Sequence, residues 1–146
     1  MSIDDDVALL ERVPTLRLLG DTSLRMLAIG SEQRNFDQGD MLFTVGDEAD
    51  AGYIVQRGAF RVEDGGAEII AGPGALIGEL ALIVAMKRPS SAVAIENSTA
   101  IRVARSLFQR VLESDPAAAR RLRDELASRT SQLASDILMA GAKFSV

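Results

Sequence analysis

Between residues 31 and 105 glycine- and aspartate-based turns cut the chain into strand-sized apolar pieces, and this rhythm restricts the fold more than any other feature. The pieces MLFTV, AGYIV, AFRVE and AEIIA alternate with turns at Gln38-Gly39-Asp40, Gly46-Asp47, Gly58, Asp64-Gly65-Gly66 and Gly72-Pro73-Gly74. Turn signals roughly every 8–12 residues describe an all-β sandwich or barrel. Asp64-Gly65 fits a hairpin turn that needs positive φ. The rhythm fails once: Leu76 to Val84 does not alternate, and Glu79-Leu80-Ala81-Leu82 prefers helix. A helical insert in a β-roll is unusual unless its N-terminus is useful, because that is where unpaired backbone N–H groups are offered.

Both flanks read as helix. Val7, Leu10, Val13, Leu24 and Leu27 have helical spacing within residues 4–29, and Pro14 and Gly20-Asp21 divide them into two or three short helices. After Ser106, the residues Phe108, Val111 and Leu112 predict a short helix. Asp115 and Pro116 then suit the N-cap and first position of a long helix running to about Ala140, where Gly141 ends it. Leu122, Leu126, Arg129, Leu133, Ile137 and Ala140 form its stripe, which would pack on the domain or on a second copy. The expected organisation is one domain over residues 1–146: N-terminal helices to 30, a β-roll over 31–105, and C-terminal helices over 106–140.

Several function classes are excluded by composition. The chain has no cysteine and no histidine, which removes disulfides, thiolate nucleophiles, His-based triads and nearly every zinc site. A cupin-type metal site, common in small β-rolls, lacks its histidine ligands. Asp4, Asp5 and Asp6 read as a solvated helix start rather than as metal ligands. A net charge of −5 without a basic run argues against direct binding to nucleic acid. No stretch approaches the ~18 apolar residues of a membrane span, and MSIDDD lacks a basic signal-peptide region. The expectation is a cytoplasmic protein with no membrane association.

The non-alternating stretch lies in GALIGELALIVAMKRPSSAVA, residues 74–94, where Arg88 follows Glu79 by nine residues. A glycine turn at a helix start offers N–H groups to an anion, and a guanidinium matches phosphate oxygens. A carboxylate accepts hydrogen bonds from sugar hydroxyls. Taken singly, Gly78 reads as a turn glycine, and Glu79 with Arg88 as an ion pair worth ~0–1 kcal/mol if exposed. Taken together they describe a site for a phosphate joined to a ribose.

The order of elements, the run FDQGDMLFTVGDEADAGYIVQRGAFRV and the segment IGELALIVAMKRPSS resemble the cyclic nucleotide-binding domain family over about residues 8–140. The resemblance implies a mainly β fold with flanking helices: an eight-stranded β-roll (a jelly roll) with N-terminal helices, a short inserted phosphate-cassette helix and a long C-terminal helix. It further implies that Gly78 and the N–H groups of Leu80 and Ala81 cradle the cyclic phosphate. Glu79 would bind the ribose 2′-hydroxyl and Arg88 the exocyclic phosphate oxygen, with Pro89, Ser90 and Ser91 just beyond. The ligand so implied would be cAMP, with cGMP the other candidate, and no metal or cofactor would be needed. Pro89 stands where many relatives carry Ser, Thr or Ala; it has neither N–H nor hydroxyl, and this tilts the reading toward cAMP. No aromatic residue lies in the long helix to stack on the purine, so Leu133, Ile137, Leu138 or Met139 would serve.

The resulting expectation is a non-enzymatic cyclic-nucleotide receptor that signals to a protein partner in trans through the C-terminal helix. A homodimer through residues 116–140 is compatible with it. The alternative is a ligand-free dimerisation or interaction domain with a degenerate site. A transcription regulator would need a helix-turn-helix, and the AKFSV that follows Gly141 is too short to supply one.

Overall fold

Helix α1 (Ile3–Glu11) begins where the Ser2 hydroxyl accepts the Asp5 N–H at 3.1 Å, and Asp4, Asp5 and Asp6 occupy its first turn. There their charge faces the positive end of the helix. In this computed structural model, which describes residues 2–64 and 66–128, α1 is followed by a 3₁₀ turn at Leu16–Leu18 and by α2 (Asp21–Gly30). Pro14 and Gly20 mark the two breaks. Helices this short are marginal alone. They are held by burial of Leu10, Val13, Leu16, Leu24 and Leu27, each worth about 1.5–3 kcal/mol.

The roll contains ten strand segments: β1 (Glu32–Phe36), β2 (Met41–Phe43), β3 (Glu48–Ala49), β4 (Ala51–Arg57), β5 (Phe60–Asp64), β6 (Ala67–Ala71), β7 (Leu76–Ile77), β8 (Met86–Lys87), β9 (Ala92–Ala94) and β10 (Ser98–Ala104). One sheet has the order β1-β10-β4-β7 and the other β2-β9-β5-β6, while β3 and β8 form a separate two-residue ladder. Every pairing among the described residues is antiparallel. The fold is mainly β with flanking helices, as expected. The count exceeds eight because two-residue ladders next to the turns stand as separate segments. The β5–β6 hairpin lies where Asp64-Gly65 predicts a turn; Gly66 carries the positive φ of +88°, and Gly65 is outside the described residues.

Two cores meet on β4. Ala51, Tyr53 and Val55 face the roll interior with Phe43, Phe60, Ile77 and Ala100. Ile54, between them, belongs with Ile101, Val103 and the helices. That is why AGYIV is a continuous apolar run: it is covered on both faces.

Helix α3 (Arg105–Ser114) follows β10 directly. Residues 116–128 are helical (α4), and the Asp115 carboxylate accepts the Ala118 N–H at 3.1 Å, in the N-cap role the sequence suggests. Leu122 is buried in the helical core and Leu126 packs against it, so the described part of the stripe faces its own domain. The expected positions Arg129, Leu133, Ile137, Leu138, Met139, Ala140 and Gly141 lie outside the described residues.

Candidate functional site

At the end of β7, paired to β4 through Tyr53 and Ile77, Gly78 turns the chain with φ +80°. A Cβ there would lie 2.6 Å from Arg88 Nη1. Residues Glu79–Leu82 then make a single 3₁₀ turn. The sequence predicts a short helix with a useful N-terminus; one 3₁₀ turn is too short to sum peptide dipoles, so what it presents is individual amides. The Ala81 N–H is already given to the Gly78 carbonyl at 3.1 Å. The Leu80 N–H makes no backbone hydrogen bond among the described residues. Leu82 anchors the turn, fully buried over Gly52, where an added Cβ would come within 3.1 Å of Leu82 Cγ.

Arg88 enters from β8 and is 4% exposed. Its N–H donates to the Asp47 carbonyl at 2.7 Å and its carbonyl accepts from Gly46, so the Gly46-Asp47 turn fixes its backbone. The guanidinium lies 4.2 Å over the Phe43 ring and 5.7 Å from the Tyr53 ring, and Nη2 donates to the Ala51 carbonyl at 2.8 Å. Nε is buried without a hydrogen-bond partner among the described residues. No described carboxylate lies within salt-bridge distance of it; the nearby Asp50 pairs with Arg102 at 3.1 Å, and Asp47 Oδ2 accepts the Thr44 N–H. Burial pushes the Arg88 pKa down from its ordinary value, opposed by Tyr53, Asp50 and Asp47. An arginine remains charged under such a shift. Burying a cation costs several kcal/mol, whereas one charged hydrogen bond returns about 1.5–3 and a cation–π contact about 0.5–2. Attraction for an anion is left over.

Glu79 is half-buried, and its Oε2 accepts a hydrogen bond from the Thr15 hydroxyl, in the loop before the first 3₁₀ turn. Gly78, Glu79, Leu80, Ala81, Arg88, Pro89 and Ser90 all line one cavity of about 210 Å³, closed on its apolar side by Phe43, Val62, Ile77 and Met86. Ser91 is outside the lining. Its hydroxyl accepts the Val45 N–H at 2.8 Å, so it holds the neighbouring turn instead. Among the described residues no cluster of acidic side chains suits a metal ion.

Sequence reasoning does not single out Thr15, Phe43, the Ala51 carbonyl or Arg105. Phe43 is legible as a core residue of MLFTV, but not as the surface under a guanidinium. Arg105 opens α3, and its Nη1 lies 2.8, 3.2 and 3.1 Å from the carbonyls of Ala49, Ala81 and Val84. Its N–H donates to the Asp50 carbonyl at 2.8 Å. Carbonyls 49, 50 and 51 are thus taken in turn by the Arg105 side chain, the Arg105 backbone and Arg88. The strand beneath the site, the cassette and the start of α3 are tied together.

Known proteins resemble this chain in sequence and in fold. A cAMP-dependent protein kinase regulatory subunit from Yarrowia lipolytica is 32% identical over 95 residues, covering 64% of this chain and 25% of that protein. Lysophospholipase nte1 from Neurospora crassa is 29% identical over 144 residues, 94% of this chain and 9% of that protein. The chain therefore spans a quarter or less of these relatives' lengths. The solved structure of a cyclic nucleotide-binding-like protein from Brucella abortus superposes with a TM-score of 0.68 at 37% identity, covering 75% of this chain and 99% of the other. Residues 33–115 match the model of the family described as "Cyclic nucleotide-binding domain", and the chain belongs to that family.

Proposed function

We propose that this chain is a non-enzymatic cAMP receptor module whose ligand occupies the cavity beneath residues 78–90. The observation that carries this reading is Arg88: a buried guanidinium whose Nε has no hydrogen-bond partner and which pairs with no carboxylate among the described residues, with Gly78 leaving it room. In the proposed complex Arg88 pairs with an exocyclic oxygen of the cyclic phosphate, the Leu80 N–H adds a second donor, and Glu79 accepts from the ribose 2′-hydroxyl. Gly78 supplies the clearance, Ala81 seals the floor, and Pro89 and Ser90 form the rim. The cavity is smaller than the roughly 300–1,000 Å³ of typical ligand sites, which suits a phosphate and sugar held within it and a base left outside. The similarity to a cAMP-dependent kinase regulatory subunit and the hydroxyl-free Pro89 support cAMP over cGMP.

Signalling follows from differential binding. The ligand shifts a population only if it favours one arrangement of cassette and helices over another. Arg105, bonded to cassette carbonyls and opening α3, is the connection through which such a difference reaches the C-terminal helix and a protein partner. A cytoplasmic setting accords with this role, and no described helix is long and apolar enough to cross a membrane. The test is isothermal titration with cAMP and cGMP. Binding is expected, with cAMP tighter, and Arg88→Ala weakens it by more than about 1.5 kcal/mol. Absence of heat with either nucleotide at high protein concentration refutes the proposal.

A second reading, a ligand-free interaction domain, draws on one observation: the Glu79 carboxylate already accepts a hydrogen bond from Thr15. It predicts a melting temperature indifferent to cyclic nucleotide but dependent on protein concentration.

A further inference from the structure

Thr15 lies 64 residues from Glu79 in sequence, in the segment joining α1 to the first 3₁₀ turn. Only 4% of it is exposed, between Val13 and Leu16, which are buried to 2% and 0% exposure. A hydroxyl buried this deeply needs a partner, and here it donates to Glu79 Oε2. The contact is not incidental to a mobile surface. Leu82, three residues after Glu79, sits in the same hydrophobic cluster as Leu10, Val13 and Leu16, so the cassette turn is already docked on this segment. Glu79, which also lines the cavity, thus has its carboxylate tied to this segment.

We infer that Thr15 is a positioning residue that sets the site's selectivity for a ribose 2′-hydroxyl by fixing the Glu79 carboxylate; this rests on the proposal that Glu79 meets that hydroxyl. An ionised carboxylate has about four lone-pair sites, so accepting from Thr15 does not by itself saturate it. A glutamate free to rotate loses side-chain entropy on meeting a sugar hydroxyl, whereas one already oriented loses little. Thr15 would therefore act on the hydroxyl-dependent part of affinity alone, not on the phosphate.

The test compares cAMP with 2′-deoxy-cAMP by titration calorimetry on the wild type, Thr15→Val, Thr15→Ala and Thr15→Ser, with Glu79→Ala as reference. The wild type should favour cAMP by about tenfold or more, the scale of one hydrogen bond to a charged group. Thr15→Val and Thr15→Ala should bring that preference within about threefold by weakening cAMP and leaving 2′-deoxy-cAMP unchanged, while Thr15→Ser keeps the wild-type ratio because it keeps the donor. Adding Thr15→Val to Glu79→Ala should change the ratio no further. A wild-type ratio in both Thr15→Val and Thr15→Ala overturns the inference while cAMP binding itself stands. If Thr15→Val shows no cooperative melt, Thr15→Ala decides the matter. Failure of wild-type protein to bind either nucleotide overturns the receptor proposal and this inference with it.

Discussion

Replacing Gly78 with alanine tests the crowding that defines the site. Two costs are separable. The left-handed backbone at φ +80° costs an L-residue roughly 1–2 kcal/mol, whatever surrounds it. The new methyl would also sit 2.6 Å from Arg88 Nη1, and that guanidinium has little freedom, being buried, stacked on Phe43 and bonded to the Ala51 carbonyl. Moving it gives up a charged hydrogen bond worth about 1.5–3 kcal/mol, for an expected total of about 2.5–5 kcal/mol. Gly39 supplies an internal control, because its φ is +93° but nothing lies within 4 Å of its would-be Cβ. Urea unfolding of Gly78→Ala, Gly39→Ala, Arg88→Ala and the Gly78→Ala/Arg88→Ala double variant separates the costs. Gly39→Ala should lose about 1–2 kcal/mol, and the Gly78→Ala penalty should fall to that level once Arg88 is removed. Equal penalties at the two glycines, or no coupling between positions 78 and 88, would refute the geometry described for the cation.

Arg105→Ala should speed hydrogen exchange at the amides of residues 79–84, by releasing the carbonyls of Ala49, Ala81 and Val84; unchanged exchange there would show that the cassette does not depend on α3. Asp115 gives the pH dependence. Hydrogen bonds from the Ala118 N–H and the Ser23 hydroxyl hold its carboxyl below the ordinary value. Its folded pKa is therefore lower than its unfolded pKa of about 3.9, and its stabilisation is present above that value and lost as the pH falls through the folded pKa. Asp115→Ala should be less stable than wild type at neutral pH, and the gap should narrow in urea melts taken below about pH 4.

The sequence was most legible where one local cause decided the outcome. Pro14, Gly20 and Asp115-Pro116 divide the helices, the piece AEIIA coincides with β6, and MLFTV, AGYIV and AFRVE overlap β2, β4 and β5. Glu79-Leu80-Ala81-Leu82 reads as helix and becomes a 3₁₀ turn, because Gly78 starts it in a left-handed conformation and β-branched Ile83 and Val84 do not prolong it. Ser91 reads as part of the site but binds the Val45 amide across the fold. Thr15 and Arg105 carry no signal along the chain. Their partners lie 64 and 21–56 residues away, so only the docking of helices on the roll reveals them.

Because the side chains of β4 are divided by parity between two cores, the strand has no alternative register. A slip of one residue would send Ile54 into the roll and Ala51, Tyr53 and Val55 toward the helices, leaving the roll underfilled and the helical side overcrowded. The same strand carries the Ala51 carbonyl that receives Arg88 and the Gly52 surface on which Leu82 rests. It serves as a fixed datum for the cassette. Were a ligand to occupy the cavity as proposed, the parts seated on that datum, the 3₁₀ turn and the helices beyond it, would be the ones to shift, with the sheet as the frame against which they move.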